Sequence, residues 1–566
     1  MYKCPGCGAA LRFDPTSQRM KCDHCGTTLD PRDESLTHLL ESQGGNAGPA
    51  DDGTYTSIVY TCPNCGGTII STEETAATFC SYCGASVVLS GRLEVQEAPD
   101  VIIPFQIDKE YCKNAYKRML RRAPFAPNYL KKNTEIDKFR GIYMPYWIYS
   151  FAADGNTSGT GETSHRSGDY IITDYYRVNR YIESTYEGIS YDAASTFLDV
   201  MSQAIAPFKA MGAGDFTPTY MSGFYADVSD VGNEVYETEA SDIARAYMAE
   251  QTVRDPAYSR HGVSSSSVEA TVPIETTTRR KGYFPVWFLA SRTPDRKKVS
   301  YAVVNGETGK IAADLPIAFW KYIIGSLIVA VPIFFILQAF LTVTPSTALW
   351  VSIALCVVMF FVLNHQLNRT YAREHRLDDK GLLYAGSTEE KAEREKISME
   401  EARAQAKEEA RKEEKKQKNK SASAVLIILL IVIGGFLLQM FSMVRMGEEA
   451  TNGLIFFSVA AGIVAFALFT IIRAIVQKHR SESTRVRVKS PMKSKVAYLI
   501  KPVIGVAISI IILVAQPVQD FYYYAAAAVS LLLVIWCAFD TVRCHNRQTL
   551  NEPPQFRKRG GDYGAK

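Results

Sequence analysis

Cys4-Pro-Gly-Cys7 with Cys22-Asp-His-Cys25, then Cys62-Pro-Asn-Cys65 with Cys80-Ser-Tyr-Cys83, are two blocks of the same internal spacing, offset from each other by 58 residues. A C-x2-C pair places two thiolates on one tight turn, and two such turns close a tetrahedral sulfur shell around one metal ion. The chain therefore opens with a duplicated metal ribbon: residues 1–30 and 58–90, joined by a Ser/Gly/Asn/Asp-containing linker over 31–57. Each turn ends in Cys-Gly, at Gly8, Gly26, Gly66 and Gly84. Glycine there lets the backbone take a positive φ and aim amides at the sulfurs, which stabilises thiolate charge. Fourteen residues separate the two turns of each block, enough for a short hairpin.

The expected ligands are Cys4, Cys7, Cys22 and Cys25 for one ion and Cys62, Cys65, Cys80 and Cys83 for the other. Two structural zinc ions are expected, each supplying the folding energy of its own ribbon. Iron of the rubredoxin type is the competing metal, because a tetrahedral four-sulfur shell suits both. Paired redox motifs of the thioredoxin kind would each need a βαβ setting that these short segments lack. With four cysteines completing each shell, His24 reads as a surface residue.

Beyond Ile317 the character of the chain changes. Apolar runs cover about 317–341, 347–364, 424–441, 453–472, 496–515 and 521–539, each near the roughly 20 residues that cross a hydrocarbon core. Six transmembrane helices are expected, as three hairpins over 317–364, 424–472 and 496–539. A mean hydropathy of -0.06 conceals them, since a polar front half averages against a greasy back half. Polar, thiol-bearing residues follow Met1, so no secretory signal peptide is expected.

Lys and Arg crowd the segments after the second, fourth and sixth runs, whereas the three opposite loops hold only Arg445. That asymmetry places both termini in the cytoplasm of a multi-pass inner-membrane protein, and a reducing compartment suits eight metal-binding thiolates. The segment 365–423 reads as a charged helical insert, with Glu390–Arg394, Glu408–Lys412 and Glu414–Lys418 in the favourable i,i+4 order. Residues 473–495 form a basic loop and 540–566 a basic tail. Lys321 and Lys501, one turn inside their spans, are expected to snorkel. No carboxylate lies in the middle of a run, which argues against ion-coupled transport.

Residues 100–315 are long enough for their own core and contain an echo: Tyr143-Met-Pro145-Tyr-Trp147 and Tyr283-Phe-Pro285-Val-Trp287. Helical stretches precede both, at about 109–122 and 240–252, so two related α+β units are expected. Val299–Val304 and Lys310–Leu315 read as a hairpin around Asn305-Gly-Glu-Thr-Gly309. That string is no phosphate loop, since two residues, not four, separate its glycines and Ile311 follows the lysine. His165, His261, Ser264–Ser267 and the lone Cys112 match no hydrolase or metalloprotease pattern, and no enzymatic activity is expected. The fold class is thus multi-domain: two small β ribbons, an α+β region with an internal repeat, and a six-helix membrane region with a charged insert.

Ala77-Thr-Phe-Cys-Ser-Tyr-Cys-Gly84, Val101-Ile-Ile-Pro-Phe-Gln-Ile-Asp-Lys109, Gly141-Ile-Tyr-Met-Pro-Tyr-Trp147, Tyr283-Phe-Pro-Val-Trp-Phe288 and Asn305-Gly-Glu-Thr-Gly-Lys310 resemble a family of bacterial membrane-anchored zinc-ribbon proteins. Its members often carry labels such as primosomal helicase or TFIIB-type zinc ribbon protein. The resemblance covers roughly residues 1–345. It implies association with SPFH (flotillin-like), phage-shock-protein-A-like and TPM-domain proteins in envelope-stress systems, and no enzymatic activity. The extra spans and the charged insert depart from that pattern.

Nucleic acid is a poor partner for these ribbons. Thr54–Ser90 contains no Lys or Arg, and residues 1–30 hold four basic residues against three acidic ones, too little positive charge to neutralise many phosphates. The expectation is an adaptor that recruits protein partners to the membrane face. A transporter or channel with a zinc-ribbon regulatory domain is the alternative, and a membrane-tethered nucleic-acid binder the third.

Overall fold

The computed structural model describes residues 2–33, 54–71, 80–86, 90–340, 344–374, 379–381 and 495–551. The third and fourth expected spans, nearly all of the charged insert and the basic tail beyond Asn551 lie outside the described residues. Two compact units emerge: Met1–Pro316 with Arg376–Gly386 and Thr549–Lys566, and Ile317–His375 with Ser387–Gln548.

The first unit is rich in sheet. β1 (Leu11–Asp14), β2 (Arg19–Cys22) and β3 (Thr28–Leu29) form a small antiparallel sheet of their own. The other described strands belong to one eleven-stranded sheet: β4 (Thr54–Thr61), β5 (Thr68–Ser71), β6 (Ser90–Glu97), β7 (Val101–Ile102), β8 (Arg140–Ser167), β9 (Tyr170–Asp192), β10 (Gly214–Asp215), β11 (Tyr225–Ala226), β12 (Ile274–Arg292), β13 (Val299–Asn305) and β14 (Ile311–Ala313). β13 and β14 pair antiparallel, Val304 opposite Ile311. The helix α1 (Lys109–Arg122) starts where Asp108 accepts from the Tyr111 amide and ends on Arg121 and Arg122, which complement its dipole. Its Cys112, Ala115, Tyr116 and Leu120 share one buried face at helical spacing. α2 (Asp199–Ile205), α3 (Glu234–Val253) and α4 (Ser265–Glu269) complete the layer used below.

The two Tyr-x-Pro-x-Trp segments lie on neighbouring antiparallel strands, face to face. Tyr143 of β8 stands opposite Pro285 of β12, and Tyr283 of β12 opposite Pro145 of β8. Equivalent partners recur about a local twofold. Pro145 accepts from the Ala193 amide as Pro285 does from Gly306, and Trp147 donates to the Val231 carbonyl as Trp287 does to Ile107. Proline can sit in this central position because each carbonyl is used while the missing N–H falls where no ladder bond is required. Alternation sends Ile142, Met144, Tyr146 and Ile148 into one core, with Phe284, Val286 and Phe288, and sends Tyr143, Tyr283 and Trp287 into the other.

The strands leave this centre unequally. β8 and β9 remain paired over the whole of β9, from Tyr146 opposite Asp192 to Ser167 opposite Tyr170 at the turn. β12 pairs with β8 only as far as Ala153, so the rest of the β8–β9 hairpin projects as an arm. The segment around α4 braces it midway: Gly161 bridges to Val263, the Ser158 and Thr160 amides donate to the Thr271 and Ser267 hydroxyls at 3.0 Å, and a Cβ on Gly161 would stand 2.2 Å from the His261 carbonyl oxygen. Beyond these contacts Tyr170, Ile171, Tyr175 and Tyr181 are exposed.

Among the described residues of the second unit, four helices are long and apolar enough to cross a membrane: α5 (Phe319–Phe340), α6 (Pro345–Glu374), α7 (Lys495–Ala515) and α8 (Asp520–Thr549). α6 runs ten residues past the expected span end at 364, taking up the start of the insert as helix. Small residues bring α6, α7 and α8 together. Ser509 and Ser530 hydroxyls lie 2.9 Å apart, Ser530 donates to the Gly505 carbonyl at 3.0 Å, and a Cβ on Gly505 would meet the Cys356 sulfur at 2.7 Å. Close backbone approach of this kind is how helices associate without a hydrophobic driving force. Lys501 reaches a specific partner. It forms an ion pair with Asp540, whose side chain is 2% exposed, and its ammonium lies 4.6 Å from the Trp536 ring. Asp540 also pairs with Arg543 at 3.2 Å. Asp540 falls one residue beyond the apolar run, so nothing in the linear pattern marked it as the partner of a lysine 39 residues earlier.

Candidate metal centres

The four knuckles share one backbone design. In each, the first cysteine's N–H donates to the carbonyl of the residue five positions on (Ala9, Thr27, Gly67, Ala85), and the glycine N–H returns a bond to that cysteine's own carbonyl. The glycines take the expected positive φ, 71° at Gly8, 78° at Gly26, 78° at Gly66 and 64° at Gly84. The amides of Ala9, Thr27, Gly67 and Ala85 point at the sulfurs of Cys7, Cys25, Cys65 and Cys83. These are the N–H donors that a thiolate shell needs.

All eight expected ligands converge on two groups, and within each the four sulfurs lie within 4.8 Å of one another. Cys4 and Cys25 are 3.5 Å apart, as are Cys7 and Cys22; Cys65 and Cys80 are 3.7 Å apart and Cys62 and Cys83 4.0 Å. Metal–sulfur bonds of about 2.3 Å in a tetrahedron require sulfurs about 3.8 Å apart, so both shells are sized for such an ion. All twelve cysteines are free of disulfides. In the absence of an ion the four sulfurs cannot all ionise. In the second shell contact with Cys62 pushes Cys65 and Cys80 far up, while hydrogen bonds from Cys62, Cys65 and Cys80 hold Cys83 far down. In the first, the Thr27 hydroxyl 3.1 Å away brings Cys25 down to about 6. A divalent cation resolves that competition by fixing every sulfur as thiolate.

The surroundings of the two shells differ. Cys4 and Cys22 are buried in the first, but Cys7 and Cys25 are exposed. All four ligands of the second are buried. The first ribbon rests on the loop before β11: Phe13 N–H donates to Ser222, the Ser222 hydroxyl donates to Leu11 at 2.7 Å, and Phe13 meets the Tyr220 ring edge-on at 5.1 Å. The second ribbon is not a separate small domain as its sequence suggests. β5 pairs with β11, which pairs with β8, and β4 pairs with β6, so its strands are part of the large sheet. Its cysteines share a core with Met144, Tyr146, Phe284 and Phe288. Arg292 Nε donates to the Cys83 carbonyl at 2.5 Å, and Tyr82 packs against Phe288.

Asp227, unmarked in the sequence, ties the second knuckle to the sheet. It is 1% exposed, accepts from the Thr196 hydroxyl and the Val228 amide, and lies near the buried Tyr82 of the knuckle. Burial pushes its carboxyl up to about 7. Two histidines lie at the arm instead: the His261 ring meets Tyr176 tilted at 4.4 Å, and exposed His165 lies 3.9 Å from Asp174. His24 is exposed beside the first shell. Buried Cys112 lies in the α1 core, where burial raises its thiol.

No family model matches the chain, and no solved structure matches it. The uncharacterized protein YdjG of Bacillus subtilis (strain 168) is 26% identical over 329 residues, 56% of this chain and 91% of YdjG.

Proposed function

We propose that the protein is a multi-pass membrane adaptor with two zinc ribbons. It would recruit protein partners to the cytoplasmic membrane face, in the bacterial zinc-ribbon family that its sequence resembles. Six helices would span the membrane with both termini in the cytoplasm, and zinc would fill both shells as a structural ion. The observation that supports recruitment is the β8–β9 arm. β9 is a long edge strand whose outer part carries exposed Tyr170, Ile171, Tyr175 and Tyr181, and an unpaired edge with aromatic side chains is a ready surface for another chain. An SPFH-type, phage-shock-protein-A-like or TPM-domain protein is the expected partner. The full-length protein purified from its own membrane should bring such a protein with it. The triple variant Tyr170→Ser, Ile171→Ser, Tyr175→Ser should lose it while keeping two zinc ions and membrane localisation. Equal capture by the variant would sink the arm as the contact surface.

The Lys501–Asp540 pair favours transport as the second reading, because ionisable groups among membrane helices commonly mark a pathway. Flux of a solute through vesicles holding the pure protein, abolished by Asp540→Asn, would put transport ahead of recruitment.

A further inference from the structure

We propose that the first metal shell is a thiol-oxidation site: an oxidant of the hydroperoxide class attacks Cys7 or Cys25, a disulfide closes within residues 4–25, and that ribbon's metal ion leaves while the second shell keeps its own. The inference rests on both shells holding metal and is independent of any partner.

Access separates the two shells. A peroxide must approach a thiolate sulfur along the line of the bond it will form, and reactivity follows exposure and thiolate character. Cys7 and Cys25 are exposed. The sulfurs of the second ribbon lie in a core with Phe288 and Tyr301, and Gly84 is so close to β12 that a Cβ would stand 3.0 Å from the Ala290 oxygen. Metal coordination keeps all eight sulfurs as thiolates, so the shells differ in approach and not in charge state.

A resolving thiolate is already at hand. Cys4 stands 3.5 Å from Cys25, and Cys22 stands 3.5 Å from Cys7. Attack gives a sulfenic acid and hydroxide. The neighbouring thiolate then displaces a second hydroxide from that sulfur to form the disulfide. Two thiolates lose two electrons in total, the peroxide gains them, and the two hydroxides take protons from solvent. An ion left with two of its four ligands dissociates. Thiols reverse the step by disulfide exchange, after which metal can rebind.

The test uses the full-length protein in detergent, zinc-loaded and freed of unbound ion, with metal content measured first. Hydrogen peroxide is added, zinc release is followed with a chromogenic chelator, and differential alkylation with peptide mass spectrometry assigns each oxidised cysteine. The expected result is one zinc equivalent released at least about tenfold faster than the other, with the first disulfide inside residues 4–25 and recovery on adding dithiothreitol and zinc. Release of both equivalents at one rate, or a first disulfide among Cys62, Cys65, Cys80 and Cys83, overturns the proposal. A starting content of no zinc would fail the metal reading itself, separately from the proposal.

Discussion

The two ribbons have the same cysteine spacing, the same knuckle hydrogen bonds and the same glycine conformation, yet one keeps two ligands in solvent while the other is built into the main sheet. The difference lies in what the intervening strands pair with. β1–β3 close on themselves as a sheet, and the first ribbon docks by its side chains, Leu11, Phe13, Met20, Cys4 and Cys22 sharing a core with Phe105, Tyr143 and Trp287. β4–β6 join the large sheet through β11. One motif thus serves as a module with its own sheet docked on the core and as part of the main sheet itself, and its metal should matter differently in the two places.

The largest expected effect comes from removing one ligand from each shell. Structural zinc binds small domains with an apparent energy of about 10 kcal/mol or more, comparable to the roughly 5–15 kcal/mol that holds a whole domain folded. Cys80→Ser should therefore unfold the sheet-rich unit cooperatively, with loss of near-ultraviolet circular dichroism and of the Trp147 and Trp287 environments. Cys25→Ser should lose one zinc with a smaller loss of those signals, because β1–β3 lie outside the main sheet and contribute to its core only by side-chain packing. Similar global unfolding in both variants would break the comparison.

An intermediate effect is tied to pH. Asp227 holds its proton to about 7 in the folded chain, whereas an unfolded aspartate releases it near 4. Between these values the folded state binds more protons than the unfolded, so stability falls as pH rises and levels off above about 7. The cost reaches at most about 4 kcal/mol for a shift of that size. Asp227→Asn should flatten this slope, so that denaturation at pH 5.5 and pH 8 shows the variant gaining on wild type at the higher value. A constant difference between the two would show that the carboxyl is ionised throughout.

The smallest effect compares Gly26→Ala with Gly84→Ala. Both glycines have positive φ, 78° and 64°, which costs an L-residue about 1–2 kcal/mol. A Cβ on Gly26 meets nothing within 4 Å, while one on Gly84 meets the Ala290 oxygen at 3.0 Å and the Arg292 side chain at 3.3 Å. Overpacking adds about 1–3 kcal/mol. Gly84→Ala should then be the more destabilising of the two by thermal denaturation, and equal costs would mean that the second knuckle sits less tightly on β12.

Local chemistry made much of this legible in the sequence. Cysteine spacing picked out the eight cysteines that converge in two groups, and Cys-Gly identified the positive-φ positions, because a knuckle is built by a few consecutive residues. Apolar length marked the four described membrane-type helices, and the helical stretch at 109–122 became α1. Tertiary structure alone decided the rest. Strand pairing placed the second ribbon inside the sheet and left Cys7 and Cys25 of the first exposed. Register brought Tyr143 opposite Pro285, and packing paired Lys501 with Asp540 and buried Asp227 beneath Tyr82. Each of these joins residues dozens to more than a hundred positions apart. Knuckles and helices are specified by residues a few positions away, whereas exposure and pairing depend on partners that only the closed chain brings together.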